Sequence, residues 1–198
     1  MKIYILSIAL IMGLLLQGCG TRQFSKGAYD DVENENLLDD KWSETDMQKA
    51  VNTLVTKIVS HRVIAEAKRP PVVLVTKLQN KTSEVIDTQN ITDMVIVELT
   101  STGKVEFIDK EARQDISDEY EYQNSGMVGN DTKKGPGGQT GADYIINGAI
   151  DSIVKEVGKD KTVYYKITLK MTNLKTSKIE WAGHEQIRKT FKKRRVGF

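Results

Sequence analysis

The strongest constraint on the fold of this chain is an unbroken alternation of apolar and polar residues between positions 162 and 171. Successive side chains of a β-strand point to opposite faces of a sheet, so the alternation predicts a strand with one buried face and one wet face. The predicted buried residues are Val163, Tyr165, Ile167, Leu169 and Met171, and the predicted wet residues are Thr162, Tyr164, Lys166, Thr168 and Lys170.

Two flanking segments complete a sheet around this strand. Residues 144–150 form a largely apolar run, and a turn is predicted at 158–160. After a second predicted turn at 175–178, Ile179, Trp181 and Ile187 indicate a last strand. We expect these three strands to form an antiparallel meander.

The preceding part of the chain shows helical spacing instead. Thr45 and Gln48 match a capping box, and the apolar residues that recur at helical spacing are Met47, Ala50, Val51, Leu54, Val55 and Ile58. We expect Pro70 and Pro71 to end this helix, because proline cannot donate to the helix ladder. The continuous apolar run Val72–Val75 then predicts a central strand buried on both faces.

A second helix, a short strand and a third helix are predicted next. Asp87 or Thr88 begins the second helix, whose apolar face holds Ile91, Met94, Val95 and Leu99 and which Gly103 ends. Residues 105–108 predict a strand, and Asp109 is the predicted cap of a third helix with Ala112, Ile116 and Tyr120 on one stripe. The predicted fold class is therefore a single α/β (α+β) domain, with one mixed sheet of four to five strands flanked by helices.

The N-terminus has the parts of a lipoprotein signal. Lys2 precedes an apolar stretch from Ile3 to Leu16, and Leu16-Gln17-Gly18-Cys19 is typical of a bacterial lipobox. We expect cleavage after Gly18 and lipid attachment at Cys19; the alternative is an ordinary cleaved signal with an incidental cysteine. Because Gly20 follows in place of aspartate, the sorting pattern favours the inner leaflet of the outer membrane, with the chain facing the periplasm.

These features predict three segments: a signal peptide at 1–18, a lipidated flexible tether at 19–42 and one folded domain at 43–198. A tether of roughly 20 residues extends to about 70 Å at most. The formal net charge of +2 gives no reason to expect a nucleic-acid partner.

Residue patterns typical of catalysis are scarce. His61 and His184 are far apart in the sequence, without a second ligand at metal spacing, and Cys19 leaves no free thiol. The glycine-rich segment 135–141 lacks the Gly-Lys-Ser/Thr ending of a phosphate loop. We therefore expect no catalytic residues, no metal site and no cofactor besides the covalent lipid. The basic residues at the C-terminus are interpreted as a solvated tail, with anionic lipid or an acidic partner as the alternative; they are Lys189, Lys192, Lys193, Arg194 and Arg195.

An ordered set of motifs resembles the LpoB family. They are Pro71-Val72-Val73-Leu74-Val75 with Asn80-Lys81-Thr82, Ser101-Thr102-Gly103-Lys104-Val105, Gly141-Ala142-Asp143-Tyr144 and Lys178-Ile179-Glu180-Trp181. The resemblance implies a fold like the N-terminal domain of TolB and a non-enzymatic function. It implies an outer-membrane lipoprotein that binds and activates a class A penicillin-binding protein, a peptidoglycan synthase.

The tether departs from that family, whose characterised members carry a long proline-rich one. Either the first helix detaches to lengthen it, or the partner extends outward, or this chain serves a different partner. The alternative function is a non-enzymatic lipoprotein of envelope assembly or secretion. Partner contact is expected on the wet face and an adjoining loop, at Asn80, Lys81, Thr82, Tyr164, Lys166 and Lys170, from a monomer.

Overall fold

The computed structural model describes residues 27–35 and 37–193. The chain divides into two units, Met1–Asn34 and Glu35–Phe198. In the first, the described residues form a turn in which the Asn34 N–H donates to the Asp31 carbonyl at 3.1 Å. The predicted signal peptide, its cleavage at Gly18 and the lipid site at Cys19 lie outside the described residues, and the predicted domain boundaries stay a prediction.

The second unit contains four α-helices and six β-strands among the described residues. In chain order they are α1 (Glu44–Val59), α2 (Arg62–Ala65), β1 (Val72–Val75), β2 (Gln79–Asn80), α3 (Thr88–Ser101), β3 (Glu106–Phe107), α4 (Arg113–Tyr122), β4 (Tyr144–Val157), β5 (Asp160–Asn173) and β6 (Ile179–Lys192). A π-helical turn, Gln123–Met127, continues α4.

The strands form one mixed sheet in the order β3-β1-β4-β5-β6. β1 is parallel to both β3 and β4, whereas β4, β5 and β6 form the predicted antiparallel meander. The short strand β2 also pairs in parallel with β4, beyond the end of β1. The predicted α+β class and single mixed sheet are thus confirmed, with β2 as the strand that the sequence did not predict.

One face of the sheet is covered by α1 and α3. All five residues predicted to be buried on β5 join a core with Ala50, Val51, Leu54 and Ile58 of α1 and with Ile91, Val95 and Leu99 of α3. Each of these α1 and α3 residues is at most 2% exposed. The amphipathic patterns of both helices and of β5 were therefore predicted correctly.

Several local predictions were wrong. The capping box is formed by Ser43 and Asp46, not by Thr45 and Gln48. The first helix ends at Val59 rather than at the prolines, because Ser60 caps it and His61 begins α2 by accepting from the Val63 N–H. Apolar spacing indicates which face is buried, but capping side chains determine the ends of a helix.

Two further elements differ from their predictions. Asp109 accepts from the backbone N–H groups of Glu111 and Ala112, but α4 begins only at Arg113 and buries no residue. Strand β4 extends to Val157, seven residues past its predicted end. Its last residues are exposed and lack a clear alternating pattern, and ladder hydrogen bonds to β5 hold them in the sheet.

Candidate functional site

The sheet face opposite α1 and α3 is open. On β5 it carries the predicted wet residues, and on β6 the even-numbered residues from Ala182 to Thr190, all of which are exposed. The register aligns Tyr164 with Arg188, Lys166 with both Asp151 and Gln186, and Lys170 with Asn147. The core cluster of the described residues takes no member from these positions. Side chains from three strands are therefore free to meet a partner.

We call this surface the open face and define it by Lys77, Lys81, Tyr164, Lys166, Lys170 and Arg188. Positive charge dominates it, because five of these six residues are cations. Its ion pair is long, 3.9 Å between Lys166 Nζ and Asp151 Oδ2. Within residues 27–35 and 37–193, the other four cations of the open face make no ion pair. Five cations against one carboxylate favour contact with an acidic surface.

A hollow of about 480 Å³ lies at one side of the open face. β1 is in register with β4 up to the pair Val75–Ile146, and β2 resumes at the pair Gln79–Ala149. The chain therefore gains one residue relative to β4, in the manner of a β-bulge. As a result Leu78 turns into the core, while Thr76 and Lys77 both line the hollow.

The predicted loop Asn80-Lys81-Thr82 divides into two roles. The Thr82 N–H and hydroxyl donate to Asn80 Oδ1 at 2.9 and 2.8 Å, and Asn80 Nδ2 donates to the Glu84 carbonyl at 2.8 Å. Asn80 and Thr82 thus shape the loop. Lys81 instead lines the hollow together with Lys170. The structure brings Lys81, Lys166, Lys170 and Tyr164 to the open face.

A buried polar cluster, which we call the clasp, lies behind the open face: Asp46, Glu84, Tyr165 and Lys189, with the segment 40–43. Lys189 Nζ lies 2.8 Å from Asp46 Oδ2, donates to the Lys41 carbonyl and sits 5.4 Å from the Tyr165 ring centroid. The Tyr165 hydroxyl donates to Glu84, whose other oxygen accepts the Trp42 N–H at 3.0 Å. Trp42 packs edge-on against Tyr165 at 5.3 Å. The clasp therefore fastens the chain just before α1 to the core.

Burial and the neighbouring carboxylate both favour the neutral tyrosine. Burial is the larger cause, and the hydrogen bond to Glu84 adds to it, so that the pKa of Tyr165 is raised well above its ordinary value. The sequence interpretation missed this cluster because it assigned Lys189 to a solvated tail. The sequence did carry a signal for burial, because Lys189 lies an even number of residues after Trp181 and Ile187 and so shares their face of the strand. The register agrees, since Lys189 pairs with the buried Val163.

The structure shows no arrangement of groups for metal chemistry in its described part. His61 caps α2, whereas His184 lies exposed on β6. Within residues 27–35 and 37–193, no group of three histidine, cysteine or acidic side chains is placed to hold a metal ion. Among the same residues, no helix is long and apolar enough to span a bilayer.

Comparison with known proteins gives a family. The model of the family described as peptidoglycan-synthase activator LpoB matches residues 45–187. Among solved structures, the LpoB C-terminal domain from Escherichia coli is 16% identical (TM-score 0.47), and that from Salmonella enterica is 15% identical (TM-score 0.43); each match covers 72% of this chain and 98% of the other. Lipoprotein GNA1162 from Neisseria meningitidis is 13% identical over 61% of this chain and 84% of its own, with a TM-score of 0.41.

No curated protein matched the sequence. The expected likeness to TolB stays a prediction. The family match covers well over half of the 198 residues and includes both helices of the core and almost all of the sheet. This chain belongs to the LpoB family, the peptidoglycan-synthase activators.

Proposed function

We propose that this chain is an outer-membrane lipoprotein, anchored through Cys19, that activates a class A penicillin-binding protein by docking its open face on a non-catalytic domain of the synthase. The family assignment and the lipobox support this proposal. The observation that carries it is the open face itself, where cations from β5, β6 and the segments flanking β2 stand without a covering helix. The protein acts as a monomer, without a cofactor other than its lipid, and is not an enzyme.

Activation is a matter of differential binding. An activator shifts its partner only by as much as it binds the active form better than the resting form. A coupling of about 1 to 3 kcal/mol corresponds to roughly 5- to 150-fold in the equilibrium. The open face has the charge to supply such a difference if the active synthase presents an acidic surface that the resting form withholds.

The structure bears on how the domain reaches its partner. Detaching α1 would lengthen the tether, but α1 buries Ala50, Val51, Leu54, Val55 and Ile58. At about 1.5 to 3 kcal/mol for each large apolar side chain, their exposure costs on the order of 10 kcal/mol, comparable with the whole stability of a typical domain. We therefore favour a partner that extends outward over a first helix that detaches.

The test uses the mature lipidated chain and purified class A synthase. We expect the wild-type protein to capture the synthase and to stimulate glycan polymerisation. The double variant Lys166→Glu/Lys170→Glu should bind at least about tenfold more weakly, a loss of roughly 1.4 kcal/mol. Lys104→Glu/Lys110→Glu is the matched control, because these two lysines are exposed beside the edge strand β3, away from the strand β5 that carries Lys166 and Lys170.

Two outcomes would contradict the proposal. One is a wild-type protein that captures no synthase and leaves polymerisation unchanged, which would favour the assembly or secretion lipoprotein. The other is an equal loss of binding in both double variants, which would mean that total charge, and not the open face, governs the contact.

A further inference from the structure

Three chain segments meet at one end of the sheet, which we call the hairpin end. The β4–β5 turn is there, with Gly158 at a φ of +60°. The Lys193 N–H donates to the Lys159 carbonyl at 2.8 Å, so the end of β6 lies beside this turn. Lys161 pairs with Asp40, which places the segment leading into α1 at the same end.

The hairpin end exposes five aliphatic side chains. Ile153 and Val157 are each 64% exposed, and Val154 is 48% exposed. Leu37 and Leu38, two to three residues before Asp40, are 58% and 90% exposed. Five exposed aliphatic side chains here, against Leu174 and Ile179 at the other end of the sheet, indicate a surface that meets something less polar than water.

The hairpin end also holds five lysines and four carboxylates. Asp40 and Glu156 stay ionised, because hydrogen bonds from Lys161 and from Lys193 respectively hold the pKa of each carboxyl below its usual range, and these lysines balance their charges. Lys155, Lys159 and Lys192 make no ion pair within the described ranges, whereas Asp39 and Asp160 are the remaining carboxylates of the hairpin end. Exposed apolar side chains beside unpaired lysines are typical of surfaces that insert into a headgroup layer.

The clasp determines which end of the domain faces the lipid anchor. It binds Lys41 and Trp42 to the core, so the tether enters the domain at the hairpin end. About 20 residues separate this entry from Cys19, which keeps the hairpin end within about 70 Å of the membrane, and closer on average. Confinement of this kind corresponds to a high effective concentration of membrane surface at the hairpin end.

We propose that the hairpin end is a peripheral membrane-binding surface, which seats the domain on anionic phospholipid headgroups beside its own lipid anchor. The inference rests on the proposed lipid at Cys19. A second copy of the chain fits less well, because a symmetric contact would bring like charges together. Because Ile153 is the register partner of Tyr164, seating by the hairpin end covers the near end of the open face and leaves Lys170 and the hollow available.

The experiment exploits the single cysteine of the chain. Mass spectrometry verifies that Cys19 is acylated and therefore cannot react with a thiol dye. Two variants, Val157→Cys and Lys175→Cys, then each carry one free cysteine, which is labelled with an environment-sensitive dye. Lys175 lies in the exposed β5–β6 turn, at the opposite end of the sheet. The labelled, lipidated proteins are placed on vesicles that contain phosphatidylglycerol and headgroup spin labels, and on phosphatidylcholine vesicles with the same spin label.

We expect several-fold stronger quenching of the dye at position 157 than at position 175 on the anionic vesicles. The difference in quenching between the two positions should shrink on phosphatidylcholine vesicles and in the variant Lys159→Glu/Lys192→Glu. It should also shrink in about 1 M salt, where charge interactions are screened within about 3 Å. The matched control Lys104→Glu/Lys110→Glu should retain it. Equal quenching at the two positions would overturn the proposal. A second contrary result would be a dye at position 157 that is shielded from solvent by an added envelope protein but not by vesicles. Synthase stimulation, measured separately with Lys159→Glu/Lys192→Glu in detergent, distinguishes failure here from failure of the proposed function.

Discussion

Lys189 is the residue whose replacement tests the clasp most directly. Its side chain is 5% exposed and that of Asp46 is 6% exposed, so both charges of this pair are removed from water. Lys189→Met keeps an unbranched apolar side chain, one atom shorter, and deletes the charge. Asp46 then retains a hydrogen bond from the Ser43 N–H at 3.0 Å but has lost its counter-charge, and the Lys41 carbonyl has lost its donor. Removing one partner of a buried ion pair costs about 3 to 5 kcal/mol.

Urea unfolding of the mature chain, followed by tryptophan fluorescence, measures this cost. With a slope of about 2 kcal/mol per molar urea, the midpoint should fall by about 2 M at unchanged slope. Lys57→Met is the matched control: Lys57 pairs with Glu185 at 2.7 Å, but its side chain is 45% exposed. An exposed pair contributes at most about 1 kcal/mol, so the control should shift the midpoint by no more than about 0.5 M.

The double variant Asp46→Asn/Lys189→Met separates charge from packing. If the unpaired carboxylate causes the loss, neutralising Asp46 as well should recover about 1 to 2 kcal/mol relative to Lys189→Met alone. The reasoning fails if Lys189→Met and Lys57→Met shift the midpoint equally. It also fails if the double variant is less stable than Lys189→Met, because the ion pair would then not be the source of the energy.

Three further predictions concern the core. Gly148→Ala should destabilise the domain by about 2 to 3 kcal/mol in the same urea assay, because a Cβ there would lie 2.2 Å from the Thr168 carbonyl oxygen, a backbone atom that cannot move freely; a neutral result would contradict the close strand approach. Leu54→Ala should cost about 2 to 5 kcal/mol, whereas Val97→Ala on the exposed side of α3 should cost less than about 1, and similar losses would mean that α1 does not form the core. The raised pKa of Tyr165 means that the folded state keeps its phenolic proton at a pH where the unfolded chain loses it. The free energy of unfolding should therefore fall above about pH 10, by up to about 1.4 kcal/mol per pH unit. A difference in this free energy between wild type and Tyr165→Phe that does not change with pH would refute the reasoning.

The elements that the sequence predicted well are those whose pattern depends on burial alone. The alternation on β5 and the helical stripe of α1 and α3 each mark one face of one element, and a continuous core covers them. Helix ends were predicted less well, because Ser43 and Ser60 act through local hydrogen bonds that compete with other candidate caps nearby. The exposed end of β4 lacks a clear alternating pattern, so its length depends on pairing with β5 rather than on its own residues.

The sequence predicts only those residues of the open face that share one strand, because the others join it through the register between strands. Tyr164, Lys166 and Lys170 share a strand, and alternation alone places them on one face. Lys77 joins them only because of the extra residue between β1 and β2, and Arg188 only because β6 pairs in its particular register with β5. Residues that meet through the pairing of separate strands leave no periodic signal in one sequence.

The clasp and the open face lie on opposite sides of the same strand. Tyr165, which packs against Trp42 and binds Glu84, stands between Tyr164 and Lys166 in the sequence of β5. If residues 19–42 form the proposed tether, a pull on it would be transmitted by the clasp to the strand that carries the open face. A partner on the open face would then load the same strand from its other side, so we expect the length of the proposed tether and the position of the partner to be coupled. Under the proposed function, we therefore expect activation through a short tether only where the synthase extends to the domain.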